Sequence, residues 1–188
     1  MIESERNSLG IKIPIVYKDE KVAAVSSPFI PPKASAVPEQ SGKKPDYVLE
    51  LGSEMITSSS HSSGGHGGHG VPQPSAGSTR WTINGKSYPD TEDIRIKVGQ
   101  PVTVRFINKD VQPGHRMDHP LHLHGTKFQV VSLNGSRPAR EMWKDTINVP
   151  AGEYVDVTFA ITNPGEWMLH CHIIDHEDGG MLTKIIAQ

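Results

Sequence analysis

Ile94-Arg95-Ile96-Lys97-Val98-Gly99-Gln100-Pro101-Val102-Thr103-Val104-Arg105-Phe106-Ile107 decides the fold class. On both sides of the Gly-Gln-Pro break, apolar and polar residues alternate with a period of two. That is the pattern of a strand with one buried face. Working outward, similar short runs occupy residues 47–51, 81–84, 127–133, 154–161, 166–171 and 182–187. Two runs lead into Asn-Gly pairs, Asn84-Gly85 and Asn134-Gly135, which favour tight hairpin turns. Pro164-Gly165 precedes another run. No long amphipathic helix is evident, and one helical turn is expected between His172 and Asp178. The expected fold is all-β, an antiparallel sandwich.

The main domain is expected to span residues 44–188, after an N-terminal extension or linker at 1–43 that reads as a remnant of a preceding domain. In the extension, residues 11–17 and 21–25 look strand-like. Ser27-Pro28-Phe29-Ile30-Pro31-Pro32 follows and favours an extended linker. Residues 54–79 read as a flexible His/Gly/Ser loop, too poor in apolar residues to bury a core. His61, His66 and His69 in that loop could bind copper or zinc loosely; a solvated loop is the plainer reading.

The chain has 188 residues and a formal net charge of −2, which gives no reason to propose nucleic acid or a polybasic membrane contact. It has no run of about 20 apolar residues, the length of a membrane span. The N-terminal residues lack the apolar core of a signal peptide. The location is therefore open: cytoplasmic, or set by an address on another segment. The single cysteine rules out an intrachain disulfide and leaves the redox compartment unread.

That cysteine lies in Leu169-His170-Cys171-His172-Ile173-Ile174-Asp175-His176-Glu177-Asp178-Gly179-Gly180-Met181. A second histidine cluster is His119-Pro120-Leu121-His122-Leu123-His124-Gly125. In a strand, residues i and i+2 share a face. His122 and His124 would then point one way, as would His170 and His172, with Cys171 facing away. If the two strands pair, four imidazoles converge on one side. On the other side, His119 and His176 could meet Cys171. A thiolate, two imidazoles and a weak axial Met181 make a trigonal copper set. Structural zinc is the chemical competitor, but the HxH and HCH alternation splits ligands across both faces, which a closed tetrahedral site does not need. His115 is isolated and reads as a loop residue. Met117, Met142 and Met168 read as packing residues.

These motifs resemble the C-terminal cupredoxin domain of multicopper oxidases, in the laccase, bilirubin oxidase and bacterial cuprous oxidase branches. HPLHLHG matches the family's HPxHLHG, and HCHIIDHEDGGM matches its HCHxxxHxxxxM. WTINGKSYP at 81–89 and WKDTINVPAGE at 143–153 match more weakly, in the expected order. The resemblance covers roughly residues 44–188. It implies a cupredoxin-like Greek-key β-sandwich and copper as cofactor.

The resemblance also implies that His119, Cys171 and His176 hold type 1 copper, with Met181 axial. His122 would serve type 2 copper, and His124, His170 and His172 the type 3 pair. Glu177 and Asp178 would help deliver protons to dioxygen; solvated loop charges are their plainer reading. The implied enzyme is a copper-dependent oxidoreductase. It would take single electrons from phenols, aromatic amines or Cu(I) near His176, pass them through Cys171, and reduce dioxygen to water. Members of the family are usually exported, to the periplasm or outside the cell. Their N-terminal domain supplies two further HxH motifs that this sequence lacks, so another cupredoxin domain or chain is expected to complete the trinuclear site. The alternative is a non-enzymatic blue-copper electron carrier or copper-binding protein.

Overall fold

The computed structural model describes residues 44–56 and 79–188. The expected extension at 1–43 and the histidines at 61, 66 and 69 lie outside the described residues. Within them the chain forms β1 (Tyr47–Met55), β2 (Thr79–Ile83), β3 (Ile94–Ile96), β4 (Val102–Asn108), β5 (Val111–Gln112), β6 (His115–Arg116) and β7 (His119–Leu123). It continues with β8 (Phe128–Leu133), β9 (Trp143–Lys144), β10 (Thr146–Val149), β11 (Tyr154–Phe159), β12 (Gly165–Cys171), the one-turn helix α1 (Ile174–Asp178) and β13 (Leu182–Ala187).

One sheet has the order β2-β1-β4-β11-β8-β9 and the other β10-β7-β12-β13-β3; β5 and β6 form a separate hairpin. The two larger sheets share one hydrophobic core. Leu49, Val104, Phe106, Phe128 and Val157 enter it from the first sheet, and Leu121, Leu123, Leu169 and Ile185 from the second. Arg105 and Asp156 stand opposite each other on β4 and β11. Arg105 donates from Nε and Nη2 to the two carboxylate oxygens at 2.6 and 2.8 Å, a bidentate cross-strand pair.

The all-β sandwich matches the expectation; the purely antiparallel pairing does not. β1 runs parallel to β4, with Tyr47 opposite Val104, and β13 runs parallel to β3, with Ile185 opposite Ile94. Alternation reveals which face of a strand is buried but not the direction of its neighbour. Parallel neighbours also need long crossovers, and both pairs join distant parts of the chain. The expected loop at 54–79 begins and ends too generously, because Met55 pairs with Thr79 across the β1–β2 arms. His115 lies in strand β6 rather than in a loop.

Both Asn-Gly pairs make two-residue turns. Asn84 and Gly85 have φ of 52° and 73°, and Asn134 and Gly135 have 47° and 85°. Left-handed backbone at both central positions is what a type I′ hairpin turn requires.

Candidate metal centre

β7 and β12 pair antiparallel, with His122 opposite His170 and Leu121 opposite Cys171. Directly opposed residues share a face. The imidazoles of His122 and His170 therefore stand on the outer face, and Cys171 turns into the core. The pairing continues past the strand ends. His172 N–H donates to the Pro120 carbonyl at 2.8 Å, and His124 N–H donates to that of Met168 at 2.9 Å.

On the inner side, the donor atoms of His119, Cys171 and His176 all lie within 4.8 Å of one another. His119 Nδ1 is 3.9 Å from Cys171 Sγ and 3.1 Å from His176 Nδ1, which is 3.5 Å from the same sulfur. All three residues are at most 1% exposed. β7 delivers His119, the end of β12 delivers Cys171, and α1 delivers His176. Met181 is wholly buried. Its N–H donates to the His176 carbonyl at 2.8 Å, and its carbonyl accepts from Cys171 N–H at 3.0 Å. The axial candidate is thus pinned by backbone to two of the three other candidate ligands.

These residues fit a metal ion by their chemistry and their spacing. Bonds of about 2.0–2.3 Å from nitrogen and sulfur put three donors in a plane roughly 3.5–4 Å apart, close to the separations found. One thiolate, two imidazoles and a thioether suit copper, whereas structural zinc takes four strong donors. Burial pushes the Cys171 thiol up to about 11; the nearby Glu177 charge adds to this and a backbone hydrogen bond from Ile173 opposes it. A bound cation would displace that proton, since the thiolate is the ligand form.

Two neighbours of this group were not expected in such a role from the sequence. Asp110, also wholly buried, accepts the His119 Nε2–H at 2.7 Å, which leaves the lone pair on Nδ1, the nitrogen facing Cys171. Trp81 stacks on His176, with ring centroids 3.5 Å apart and planes 23° apart. A reductant is expected to deliver its electron near His176. The His176 ring is 1% exposed and capped by the Trp81 indole. Trp81 lies in the WTING motif, so the motif itself was the available clue.

On the outer side, four imidazoles gather. Ring centroids are 4.9 Å apart for His122 and His124, 4.7 Å for His122 and His172, 5.1 Å for His124 and His170, and 5.1 Å for His170 and His172. His124 and His172 are exposed, and His122 is half-buried. His122 Nδ1–H donates to the Asp145 carbonyl at 3.0 Å, with Thr146 Oγ1 at 2.9 Å, so Nε2 keeps its lone pair. His170 Nδ1 lies 3.0 Å from both the Cys171 carbonyl and Glu177 Oε2. Both are acceptors, so Nδ1 carries the proton. His170 Nε2 points at His124 Nε2, 3.0 Å away. Hydrogen bonds of this kind fix tautomer and ring orientation at metal-binding histidines.

Burial pushes the pKa of His170 below its usual value. The nearby His124 and His172 act the same way, while Glu177 and the Cys171 carbonyl oppose them. The ring is thus neutral near pH 7, the form that binds metal. Glu177 is about one-third exposed. Asp178, next on the helix, is exposed.

The family profile described as Multicopper oxidase matches residues 69–188. That is more than half of the chain, and it contains all eight candidate ligands. The chain belongs to the multicopper oxidase family. It is 41% identical over 108 residues to the multicopper oxidase mco of Staphylococcus aureus, covering 55% of this chain and 24% of that one. It is 38% identical over 105 residues to the multicopper oxidase MmcO of Mycobacterium tuberculosis, covering 56% and 19%. The chain thus spans about a quarter or less of these relatives. Among solved structures, the blue copper oxidase of Nitrosomonas europaea superposes with a TM-score of 0.60 at 28% identity, over 81% of this chain and 46% of that one. A laccase from Pediococcus acidilactici gives 0.52 at 35% identity, over 58% and 24%.

Proposed function

We propose that this chain is the C-terminal, copper-binding part of a laccase-like multicopper oxidase. The reaction is one-electron oxidation of small reductants such as phenols, aromatic amines or Cu(I), coupled to four-electron reduction of dioxygen to water. Copper, when bound, supplies the one-electron chemistry. His119, Cys171 and His176 would hold the type 1 ion with Met181 axial; His122 would serve type 2, and His124, His170 and His172 type 3. The carrying observation is the back-to-back placement of the two groups. The buried His-Cys-His set and the four outer imidazoles share one stretch of β12. Cys171 is one peptide bond from His170 and from His172, and the His170 Nδ1–H bonds the Cys171 carbonyl at 3.0 Å. Thiolate and imidazole faces are therefore joined through bonds and through a hydrogen bond.

The chain's own groups divide the remaining work. The Asp145 carbonyl and the Thr146 and Glu177 side chains orient imidazoles. Glu177, with one oxygen on His170 and partial exposure, can also carry a proton from solvent toward the imidazole face, with Asp178 beside it. The outer histidines are partly open and include only two HxH pairs. A further cupredoxin domain or chain supplying more imidazoles would close that face. Dioxygen and a small reductant are the expected partners.

The alternative is a non-enzymatic copper carrier. In its favour, only the inner set is fully buried.

The test is copper content with visible and EPR spectra, then dioxygen uptake with and without a supplied N-terminal domain. An intense thiolate-to-copper band that is lost in Cys171→Ser, and uptake only with the added domain, are expected. Copper-loaded wild type without the band would refute the type 1 assignment. Full dioxygen reduction by the isolated chain would refute the need for a partner. A band without uptake in the complemented protein would leave the carrier reading.

A further inference from the structure

We propose that Asp110 is a positioning residue for the His119 side of the inner copper site, and that it holds the site's reduction potential down. The proposal rests on the reading that His119, Cys171 and His176 bind copper.

Asp110 is wholly buried, and burying a carboxylate is costly unless it is partnered. Its partners converge from separate elements. Oδ2 accepts His119 Nε2–H at 2.7 Å, and Oδ1 accepts Ser53 Oγ–H from β1 at 2.6 Å. Its own N–H donates to Asn108 Oδ1 at 2.9 Å. Asn108 is in turn clamped around His119. Its Nδ2 donates to the carbonyl of Met117, two residues before His119, at 2.7 Å. It also donates to that of Val149, opposite His119 on β10, at 2.8 Å. The carboxylate and the histidine are therefore held by the same bracket.

The chemical consequence follows from which atoms meet. A carboxylate oxygen can only accept here, so His119 must carry its proton on Nε2 and present Nδ1 to Cys171. An anionic acceptor also draws the Nε2–H proton away from the ring more strongly than a neutral one. The ring then becomes a stronger donor at Nδ1. A stronger nitrogen donor favours the more highly charged ion and lowers the potential. Burial strengthens the effect, because no water competes for the carboxylate.

The experiment uses the full chain loaded with copper, as wild type, Asp110→Asn and Ser53→Ala, read by the thiolate-to-copper band and by redox titration. Asp110→Asn should keep the band and shift the oxidised-to-reduced balance about tenfold toward the reduced form, a rise of about 59 mV for one electron. Ser53→Ala leaves the His119 bond in place but removes a donor from the other carboxylate oxygen, which leaves more charge for the His119 bond; it should shift the balance toward the oxidised form, by a smaller factor. If Asp110→Asn does not fold or load, Ser53→Ala decides, and an unchanged or higher potential in that variant overturns the proposal. A wild-type band with an unchanged or lower potential in Asp110→Asn also overturns it and leaves the copper reading standing. Absence of the band in wild type removes the copper reading itself, and the proposal with it.

Discussion

Replacing Gly125 with alanine should damage both the fold and the imidazole face, and the structure supplies the size of the effect. Gly125 closes the HPLHLHG motif with φ of +76°, and a Cβ there would lie 2.0 Å from Trp167 Cζ3 and 2.1 Å from Cε3. The left-handed backbone costs a non-glycine residue about 1–2 kcal/mol. The Trp167 ring would have to retreat by more than an ångström from a position where its Nε1–H donates to the Asn163 carbonyl at 3.2 Å. Overpacking of that kind costs about 1–3 kcal/mol. The sum is about 2–5 kcal/mol, or a fall in Tm of about 5–15 °C for a domain of this size. Thermal and urea denaturation of the metal-free chain measure it. A double-mutant cycle separates the two causes. In a Trp167→Ala background, Gly125→Ala should cost only the backbone part, about 1–2 kcal/mol. A Gly125→Ala cost below about 1 kcal/mol, or an equal cost in both backgrounds, would refute the reasoning. Because His124 directly precedes Gly125 and donates its N–H to Met168, the same variant should weaken copper binding on the outer face.

Trp81→Ala removes a buried ring stacked on His176; it should cost about 3–5 kcal/mol and broaden the thiolate-to-copper spectrum. Trp81→Phe should recover most of both, and an unaltered spectrum in the alanine variant would count against the stacking role. Glu177→Ala should weaken Cu(II) binding by the outer imidazoles about tenfold or more while the band from the inner site persists, as chelator competition would show; equal affinities would discount the His170–Glu177 bond. The metal-free protein should lose stability at both pH extremes. Cys171 is raised from about 9 to about 11, so the folded state holds its proton longer than the unfolded chain, and stability falls as pH climbs through that interval. His170 is lowered from 6.5, so the unfolded chain gains a proton first and stability falls as pH drops below that value. Cys171→Ser should abolish the alkaline loss; persistence of the same alkaline slope in that variant would assign it to other groups.

How much was legible in the sequence depended on range. The separation of the two histidine groups was legible because it depends on one strand. A period of two sends His170 and Cys171 to opposite faces whatever surrounds them. The Asn-Gly turns were legible for a similar reason, since left-handed backbone at two successive residues narrows the choice of side chains. Strand direction was not legible: β1 beside β4 and β13 beside β3 are parallel pairs between distant segments, and alternation is silent about neighbours. The surroundings of Glu177 were half legible. The family resemblance singled it out beside His176, while its bond to His170 depends on how α1 folds back on β12.

The sequence by itself determined the candidate ligand types, their division between two faces and the short covalent link between them, because these are properties of residue identity and local geometry. Tertiary structure alone decided what surrounds the candidate ligands. Asp110 reaches His119 because β1, β4 and β10 are held together by Ser53 and Asn108. Trp81 reaches His176 because its N–H donates to the Gly179 carbonyl, just past α1. Such contacts join residues far apart in the chain, and each is selected by the packing of whole sheets. No local pattern in the sequence encodes that packing.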